Sequence, residues 1–336
     1  MKGLTKLMIC GAAAATVTMS GAVMAKDAFK DVTIIAQQPG TSFYSYATTI
    51  SQLLKEDFPA GSSTKIVPRG GSVSNPTLLN AGKGDFAFTL SYTAKLAYDG
   101  DEVVYTGRGP HSDIAAVTGG MNYTYTYILA RRDFVERTGA KSLEDMLKMD
   151  ELPRFAMKPQ GPIVLPIADV ILSPYNYDLN KLRSAGKLIQ GQPSQISEML
   201  RDKRADVYFE VAAVNHPGLT EVTLTNDMVF LPISDNAKDK LIANGMVDID
   251  LPRDTYRGMD SDYHTVATGL VILANKNTSE DVVYEFTKSI VENNERLKGE
   301  NKSLATWEPK DSVNLKYTAV PLHPGAAKFY KEKGWM

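Results

Sequence analysis

The chain of 336 residues contains a single cysteine, four histidines and two tryptophans. Because its only cysteine is Cys10, it cannot form an intramolecular disulfide, and a fold stapled by disulfides is excluded. Neither sign of charge dominates: 37 basic residues against 39 acidic residues give a net charge of -2. This balance argues against nucleic acid as a partner. The 43% of hydrophobic and 23% of charged residues are typical of a globular protein, and the length predicts about two domains.

Long apolar runs are equally scarce, and the one extended run lies at the N-terminus. It covers residues 7–23 and follows the basic Lys2 and Lys6, an arrangement typical of a secretory signal peptide. Ala25 completes a pair of small residues that a signal peptidase accepts, so residues 1–25 are predicted to be cleaved off and the rest exported. Three hydroxyl residues interrupt the run, which is shorter than the roughly 20 residues of a membrane span. A membrane anchor is therefore the less favoured interpretation.

Beyond the predicted signal peptide, short apolar runs alternate with amphipathic stretches of helical length. Strand, helix, strand, helix, strand at this spacing requires right-handed crossovers and predicts a parallel sheet. The pattern restarts near residue 123, which predicts a second α/β domain. The predicted strands are 32–36, 64–67, 85–90, 123–130, 155–157, 206–209 and 265–274, and the predicted helices are 42–57, 72–81, 142–149, 163–172, 194–203, 279–293 and 324–333.

The run from Ala243 to His264 is rich in aspartate and has little periodicity. It is predicted to be a solvated excursion from the second domain. Asp260, Asp262 and His264 could be considered as metal ligands, but their spacing matches no closed site. No metal is therefore expected.

The signatures of secreted enzymes are also missing. No Gly-x-Ser-x-Gly nucleophile elbow occurs in the sequence. Residues 184–187 (Ser-Ala-Gly-Lys) and 234–236 (Ser-Asp-Asn) match the first two elements of a serine β-lactamase, but no Lys-Thr-Gly follows them. The segment after Ser184 also lacks the apolar helix that should follow such a nucleophile. No catalytic residue is assigned, and the chain is predicted not to be an enzyme.

Three loops that follow strands of the first domain are suited to ligand binding. In parallel α/β domains the ligand lies outside the carboxyl ends of the strands. Residues 40–42 offer flexible backbone and two hydroxyls, and Ser91 with Tyr92 follow the third strand. Gly70-Gly71-Ser72 allows close backbone approach, and Ser72 is predicted to cap a helix whose free N–H groups face an anion. These loops predict an anion site at one edge of the sheet.

Each of these signals also has a purely structural interpretation. Glycines and a serine before a helix are often only a turn and an N-cap. Arg69 could clamp a carboxylate or simply be solvated. The tyrosines at 123, 125 and 127 share one strand face, which predicts either a half-buried strand or an aromatic wall beside a ligand. These alternatives stay open at the level of the sequence.

Taken in order along the chain, a set of short motifs resembles the TAXI solute receptors of TRAP (tripartite ATP-independent periplasmic) transporters. The resemblance covers essentially the whole chain after the predicted signal peptide. Its most specific part is the closing segment around His323. The motifs are Gly70-Gly71-Ser72 with Asn75, Gly82-Lys83-Gly84-Asp85-Phe86-Ala87-Phe88, Ala205-Asp206, Pro252 with Tyr256-Arg257-Gly258, and Pro321-Leu322-His323-Pro324-Gly325-Ala326 with Phe329-Tyr330 and Gly334.

This resemblance implies a periplasmic two-lobed binding protein of the α/β class, with a ligand cleft between the lobes. The expected ligand is a small organic anion, glutamate-like or dicarboxylate-like, which the protein delivers to an integral-membrane TRAP permease. No cofactor is expected, and the protein is expected to be a monomer. Two alternatives stay open: a binding protein of a sensor or ABC-type system, and a secreted serine hydrolase.

The lobes and the ligand contacts are predicted as follows. Residues 26–120 and 275–336 form lobe 1, residues 121–274 form lobe 2, and the crossing segments act as a hinge. His323 is predicted to be structural and to fix the start of the last helix. The predicted ligand contacts are Thr41, Tyr44, Arg69, Ser72, Asn75, Ser91 and Tyr92 in lobe 1, and Gln160, Gly161, Phe209 and Glu210 in lobe 2.

Overall fold

A computed structural model describes residues 27–159 and 163–336 of the chain. The predicted signal peptide with Cys10, and the predicted ligand contacts Gln160 and Gly161, lie outside the described residues. No helix among the described residues is long and apolar enough to cross a membrane.

The strands of the first half pair as predicted, because β1 lies between β2 and β3 and is parallel to both. In the second half, β6 lies between β7 and β8 and is likewise parallel to both. The fold is therefore the two-lobed α/β fold that the resemblance implied. The strands are β1 (Val32–Ile35), β2 (Thr64–Val67), β3 (Phe86–Leu90), β4 (Ile114–Thr118), β5 (Tyr123–Arg131), β6 (Phe155–Met157), β7 (Leu188–Gln190), β8 (Val207–Ala212), β9 (Met228–Phe230), β10 (Val247–Leu251) and β11 (Tyr263–Asn275).

The first helix shows how the sequence determines these elements. Thr41 caps it by accepting a hydrogen bond from the backbone N–H of Tyr44. The predicted face of Tyr46, Ile50, Leu53 and Leu54 is buried. The helices are α1 (Ser42–Asp57), α2 (Ser74–Asn80), α3 (Ser91–Asp99), α4 (Arg132–Thr138), α5 (Leu143–Leu147), α6 (Val164–Leu172), α7 (Leu179–Ser184), α8 (Pro193–Arg201), α9 (Pro217–Thr225), α10 (Asp235–Ala243), α11 (Glu280–Glu292), α12 (Asn294–Glu300), α13 (Leu315–Thr318) and α14 (Pro324–Glu332).

Two predictions about these elements were wrong. Helix α2 begins at Ser74 rather than Ser72, and the N-cap position belongs to Val73, which has no side chain that could accept a hydrogen bond from the first turn. The run from 243 to 264 is not only an excursion, since Val247–Leu251 forms β10 and pairs with β11. In that strand the aspartates point outward while Val247 and Leu251 are buried.

Strand β11 joins the two halves of the molecule. Its first part pairs with β10 and β5, and its last part pairs with β3 and β4. The change of partners occurs between Gly269, which pairs with Tyr123, and Leu270, which pairs with Leu90. The exact residues that divide the lobes, 120 and 275, stay a prediction.

A second crossing segment connects β4 to β5 through Gly119 and Gly120. Gly120 has a φ of 66°, in the left-handed region that favours glycine. A Cβ on Gly119 would lie 2.3 Å from the carbonyl oxygen of Tyr317, so no larger residue fits. A Cβ on Gly269 would lie 3.4 Å from Gly120 Cα. The two crossing segments therefore run directly against each other.

Each half has its own aromatic core. In the first, Phe86 stacks on Phe286 with ring centroids 3.8 Å apart, and Trp307 is completely buried. In the second, Tyr127 packs against Tyr256 and Tyr263 at 5.7 and 6.2 Å. Burial of such rings, together with the aliphatic side chains around them, stabilises a chain that has no disulfide.

Candidate ligand cleft

A cavity of about 280 Å³ lies where the ends of β1, β2 and β3 face the start of β5 and the end of β8. This is the edge at which parallel α/β sheets place their ligands. Its walls come from both sides of the crossing segments. The lining residues are Gln37, Ser42, Phe43, Tyr46, Ser72, Leu90, Asn122, Thr124, Ala213 and Leu270.

The lining of this cavity is neutral. Amides and hydroxyls supply the polar groups, and none of the described lining residues carries a charge. Tyr46 is held at one side, because its hydroxyl lies 2.7 Å from Ser303 Oγ and accepts a hydrogen bond from Asn122 at 3.4 Å. Phe43 stacks on Phe88 at 5.8 Å between ring centroids. The cavity can therefore hold a small molecule through apolar contact and neutral hydrogen bonds.

Ser72 lines the cavity, and its surroundings differ from those predicted. It does not cap α2, which begins two residues later. Its carbonyl oxygen accepts a hydrogen bond of 2.6 Å from Thr89 Oγ1. The residue is 8% exposed and lines the cavity.

Asn75 is completely buried and does not line the cavity. Its amide nitrogen donates to the carbonyl oxygens of Ala36 and Phe88, both at 2.8 Å. Its Oδ1 accepts the backbone N–H of Gly71 at 2.9 Å. A Cβ on Gly70 would lie 1.9 Å from that same oxygen. The absence of side chains at Gly70 and Gly71 thus leaves room for the amide of Asn75. This amide occupies the turn that the sequence predicted to hold an anion.

Three other predicted contacts of the first half have different surroundings. Thr41 caps α1 and donates to the carbonyl of Gln38 at 2.7 Å. Tyr44 is partly buried and packs against the core beneath α1. Arg69 is exposed. None of these three residues lines the cavity.

Ser91 and Tyr92 lie at the crossing between the lobes. Ser91 Oγ is within 3.1 Å of Thr268 Oγ1 and accepts the N–H of Gly269 at 3.1 Å. The N–H of Tyr92 donates to Thr268 Oγ1 at 3.1 Å. The Tyr92 ring borders a separate groove of about 210 Å³, and burial raises the pKa of its hydroxyl. These residues attach α3 to β11.

In the second half, Phe209 and Glu210 lie on opposite faces of β8. Phe209 is a core residue whose ring packs 6.0 Å from that of Phe155. Glu210 is 1% exposed and forms an ion pair with Lys158, with 2.9 Å between Oε2 and Nζ. Its Oε1 accepts the N–H of Val211 at 2.8 Å, and the hydroxyl of Tyr208 donates to its Oε2. Neither residue lines the cavity.

Of the three tyrosines on β5, only Tyr127 is fully buried, as the interpretation of a half-buried strand predicts. Their rings follow one another at 6.5 and 6.4 Å, and Tyr127 is buried in the core. Thr124, on the opposite face of the strand, lines the cavity. Alternation along β5 was visible in the sequence, but which face meets the first half depends on the pairing with β11.

Sequence reasoning missed several lining residues. Asn122, Ala213 and Leu270 belong to crossing or strand-end positions without any motif. Ser42 and Phe43 lie in the first turn of α1, directly after the loop that the sequence selected. The rule that ligands lie at strand ends identified the loops, while tertiary pairing decides which side chains line the cavity.

A larger cavity, of about 440 Å³, lies at the opposite end of β8 beside Asp206. Burial would raise the pKa of Asp206, but hydrogen bonds from Arg154 and Arg131 outweigh it and hold the pKa below its usual range. Arg154 lies 2.8 Å and Arg131 3.0 Å from this carboxylate. Asp206 thus fixes the amino end of β8 and leaves this cavity without a free charge from that residue.

The predicted role of His323 agrees with its geometry. It stands at the N-cap of α14, and its Nδ1 accepts the N–H of Gly325 at 3.2 Å. The aspartates and histidine considered as metal ligands have separate partners: Asp260 pairs with Arg132, Asp262 accepts from the backbone of Arg253, and His264 contacts Asp250.

The chain belongs to the NMT1-like family, which matches residues 34–334. It also resembles a solved TctC solute binding protein from Polaromonas, with 12% identity, a TM-score of 0.50 and coverage of 91% of this chain and 96% of that one. Another similar structure is MatC from Rhodopseudomonas palustris with bound malate, at 11% identity, TM-score 0.49 and coverage of 91% and 97%. The periplasmic aliphatic sulphonate binding protein SsuA from Escherichia coli has 13% identity, TM-score 0.45 and coverage of 91% and 84%.

Proposed function

We propose that this protein is a periplasmic receptor that captures a small organic anion between its lobes and delivers it to an integral-membrane TRAP-type permease. The observation that carries the proposal is the cavity at the strand ends, which is lined from both sides of the crossing segments. A ligand that contacts both lobes stabilises the closed form by its greater affinity for that form. Closing and opening at the crossing segments then capture and release the ligand.

The ligand class and the partner rest on different support. Membership of the NMT1-like family and the fold shared with a TctC solute binding protein support solute binding. The TAXI-like order of motifs supports an organic acid, glutamate-like or dicarboxylate-like, and a permease of the TRAP class. A volume of about 280 Å³ suits a small molecule of this kind.

Binding is tested by thermal-shift and calorimetric screening of the purified protein against mono- and dicarboxylates, amino acids, sugars and metal ions. A ligand at 100 times its dissociation constant adds about 2.7 kcal/mol to the free energy of unfolding. We expect a carboxylate to bind at one site per chain without turnover. Binding of a neutral sugar or a metal ion, with no carboxylate bound, would overturn the proposal.

The permease class is tested separately, by uptake of the bound ligand into vesicles that contain the candidate membrane subunits. A TRAP system requires an ion gradient, so uptake should stop when the gradient is collapsed and should not need ATP. Uptake that requires ATP would identify an ABC-type system and leave ligand binding unaffected.

A further inference from the structure

A groove of about 210 Å³ lies between helix α3 of the first half and helix α6 of the second. None of its described lining residues lines the cavity at the strand ends. Tyr92 and Leu96 are four residues apart on α3, and Pro166, Asp169 and Val170 have the spacing of one face of α6. The groove is therefore built from both halves of the chain. Its other lining residues are Asp101, Val103, Val104, Ser173 and Asn244.

Tyr92 contributes a hydroxyl without a partner. The residue is only 2% exposed and lines the groove, yet its hydroxyl forms no hydrogen bond with any residue that the structure describes. Burial raises the pKa of this hydroxyl most, and the charges of Asp101 and Asp169 raise it further, so the hydroxyl lies toward the two carboxylates. A buried tyrosine hydroxyl usually has a hydrogen-bond partner. A ligand in the groove would supply it.

The two carboxylates of the groove each use one oxygen within the chain. Asp101 Oδ1 accepts the N–H groups of Val103 and Val104 at 3.0 and 2.8 Å. Asp169 Oδ1 accepts the N–H of Leu179 at 2.7 Å. Neither Oδ2 has a hydrogen bond or an ion pair within residues 27–159 and 163–336. Burial raises the pKa of Asp169, as expected of a carboxylate that loses water without gaining a counter-charge.

Two cations of the second half lie near the groove, and each donates to a neutral group. The charge of Arg183 acts on Asp169, but its guanidinium donates to Asn180 Oδ1 at 2.8 Å. Lys240 Nζ donates to Ser173 Oγ at 3.1 Å. Neither cation is among the described lining residues. The two carboxylates therefore lack a cation that a ligand could provide.

The rest of the groove suits a short hydrocarbon chain. Leu96, Val104, Pro166 and Val170 give it apolar walls, and its volume is below the roughly 300 Å³ at which pockets for drug-sized ligands begin. A primary ammonium group has three N–H donors. The groove offers three acceptors without a partner, namely one oxygen of each carboxylate and the hydroxyl of Tyr92.

We propose that this groove binds a small alkylammonium ion. Asp101, Asp169 and Tyr92 accept its three N–H groups, and its alkyl chain lies against the apolar walls. The site is separate from the anion cavity and does not depend on the proposed function. Because α3 and α6 belong to different halves of the chain, a bound ion contacts both.

The test measures binding of n-butylammonium by calorimetry at pH 7 and low salt, with n-butanol as the neutral analogue. We expect one site per chain and at least about tenfold weaker binding of butanol. Nα-acetyl-lysine methylamide carries the same ammonium group on a peptide unit. Equal affinity for it would identify a lysine side chain of a partner as a source that fits, and much weaker binding would identify a free amine. Both results support an alkylammonium site.

Asp169→Asn keeps an oxygen for the N–H of Leu179 and removes the charge, so it should weaken butylammonium binding roughly 10- to 150-fold. Tyr92→Phe removes only the hydroxyl and should weaken binding less, by roughly 2- to 12-fold. Asp99→Asn is the matched control. Asp99 lies on α3, pairs with Lys95 and does not line the groove, so its loss should change affinity by less than about twofold.

Three results would overturn the proposal: no binding of butylammonium to the wild type, equal binding of butanol, or an equal loss in Asp169→Asn and Asp99→Asn. Thermal unfolding checks that each variant is folded. If Asp169→Asn does not fold, Tyr92→Phe and Asp101→Asn decide, and unchanged affinity in both would also overturn the proposal. Binding of a carboxylate to the wild type is measured separately, so failure of this site leaves the proposed function standing.

Discussion

Two turns at the carboxyl ends of parallel strands differ in how far their polar side chains are buried. After β2, Gly70 and Gly71 enclose the side chain of Asn75, which bonds three backbone groups. After β6, Lys158 forms an ion pair with the buried Glu210, and its side chain remains 20% exposed. A glycine turn before a helix is thus an anion site only when no side chain of the same chain occupies it.

The difference also separates stability from binding. Asn75 is completely buried, and its three hydrogen bonds connect α2 to the end of β1, to β3 and to the turn at Gly71. Lys158 is partly exposed at the edge of its sheet. Substitutions in the first turn should mainly change the free energy of unfolding, and those around the cavity should mainly change affinity.

The largest effect is expected for Asn75→Ala. It removes the partners of buried backbone groups, each of which costs about 1–3 kcal/mol when left unsatisfied, so the free energy of unfolding should fall by roughly 3–5 kcal/mol. Urea denaturation measures it. Ser74→Ala, at an exposed position on the same helix, is the control and should change stability by less than about 1 kcal/mol. If Asn75→Ala lowers the free energy of unfolding as little as Ser74→Ala does, Asn75 does not stabilise the first turn and the contrast between the two turns is wrong.

The next effect concerns Ser72→Ala. Because Ser72 lines the cavity and does not cap α2, its loss should weaken binding of the acid about tenfold or more, with a stability change below about 0.5 kcal/mol. Ser142→Ala is the control, since Ser142 caps α5 by accepting the N–H of Asp145 at 3.1 Å. That variant should lose about 1 kcal/mol of stability and keep its affinity. Affinity is measured by calorimetry and stability by urea unfolding, on both variants. If Ser72→Ala loses stability and keeps its affinity, Ser72 has only a structural role.

A smaller effect is expected for pH and His216. Burial lowers its pKa in the folded protein, so the unfolded chain binds more protons below the ordinary histidine pKa of about 6.5. The contribution of neutral His216 is complete above that pH and is lost as the pH falls. Between pH 7.5 and 5, the free energy of unfolding should decline less steeply in His216→Gln than in the wild type. Parallel curves would show that His216 does not titrate as its surroundings require.

The smallest effect is expected for Arg69→Ala. The residue is exposed and lies outside the cavity lining, so affinity for the acid should change by less than about twofold. A calorimetric loss of tenfold or more would show that the arginine enters the closed cleft and contacts the acid.

Much of the fold could be predicted because its signals are local. The bounds of α1 and β2 follow from apolar periodicity and turn residues alone. Strand β10 was missed although Val247, Ile249 and Leu251 alternate with two exposed aspartates, which is the period-two pattern of a strand with one buried face. The pattern is only five residues long, and its partner β11 begins at Tyr263 after a long connection, so no tight turn marks the pair.

The site was predictable only to the level of loops. Ser72 was found because it follows a strand, but the role of Asn75 depends on carbonyl groups of Ala36 and Phe88, which lie 39 and 13 residues away. Likewise, Lys158 and Glu210 are brought together by parallel pairing of β6 and β8. Long-range contacts of this kind leave no periodicity in the sequence.

The shared strand β11 has a consequence for the order in which the protein folds. The sheet formed by β1, β2 and β3 is incomplete until β11 has been synthesised, because β3 pairs with residues 270–274 of that strand. Helices α11 and α14 then cover the same core. The first lobe therefore completes itself last, after nearly the whole chain has emerged, although it contains the first residues of the fold.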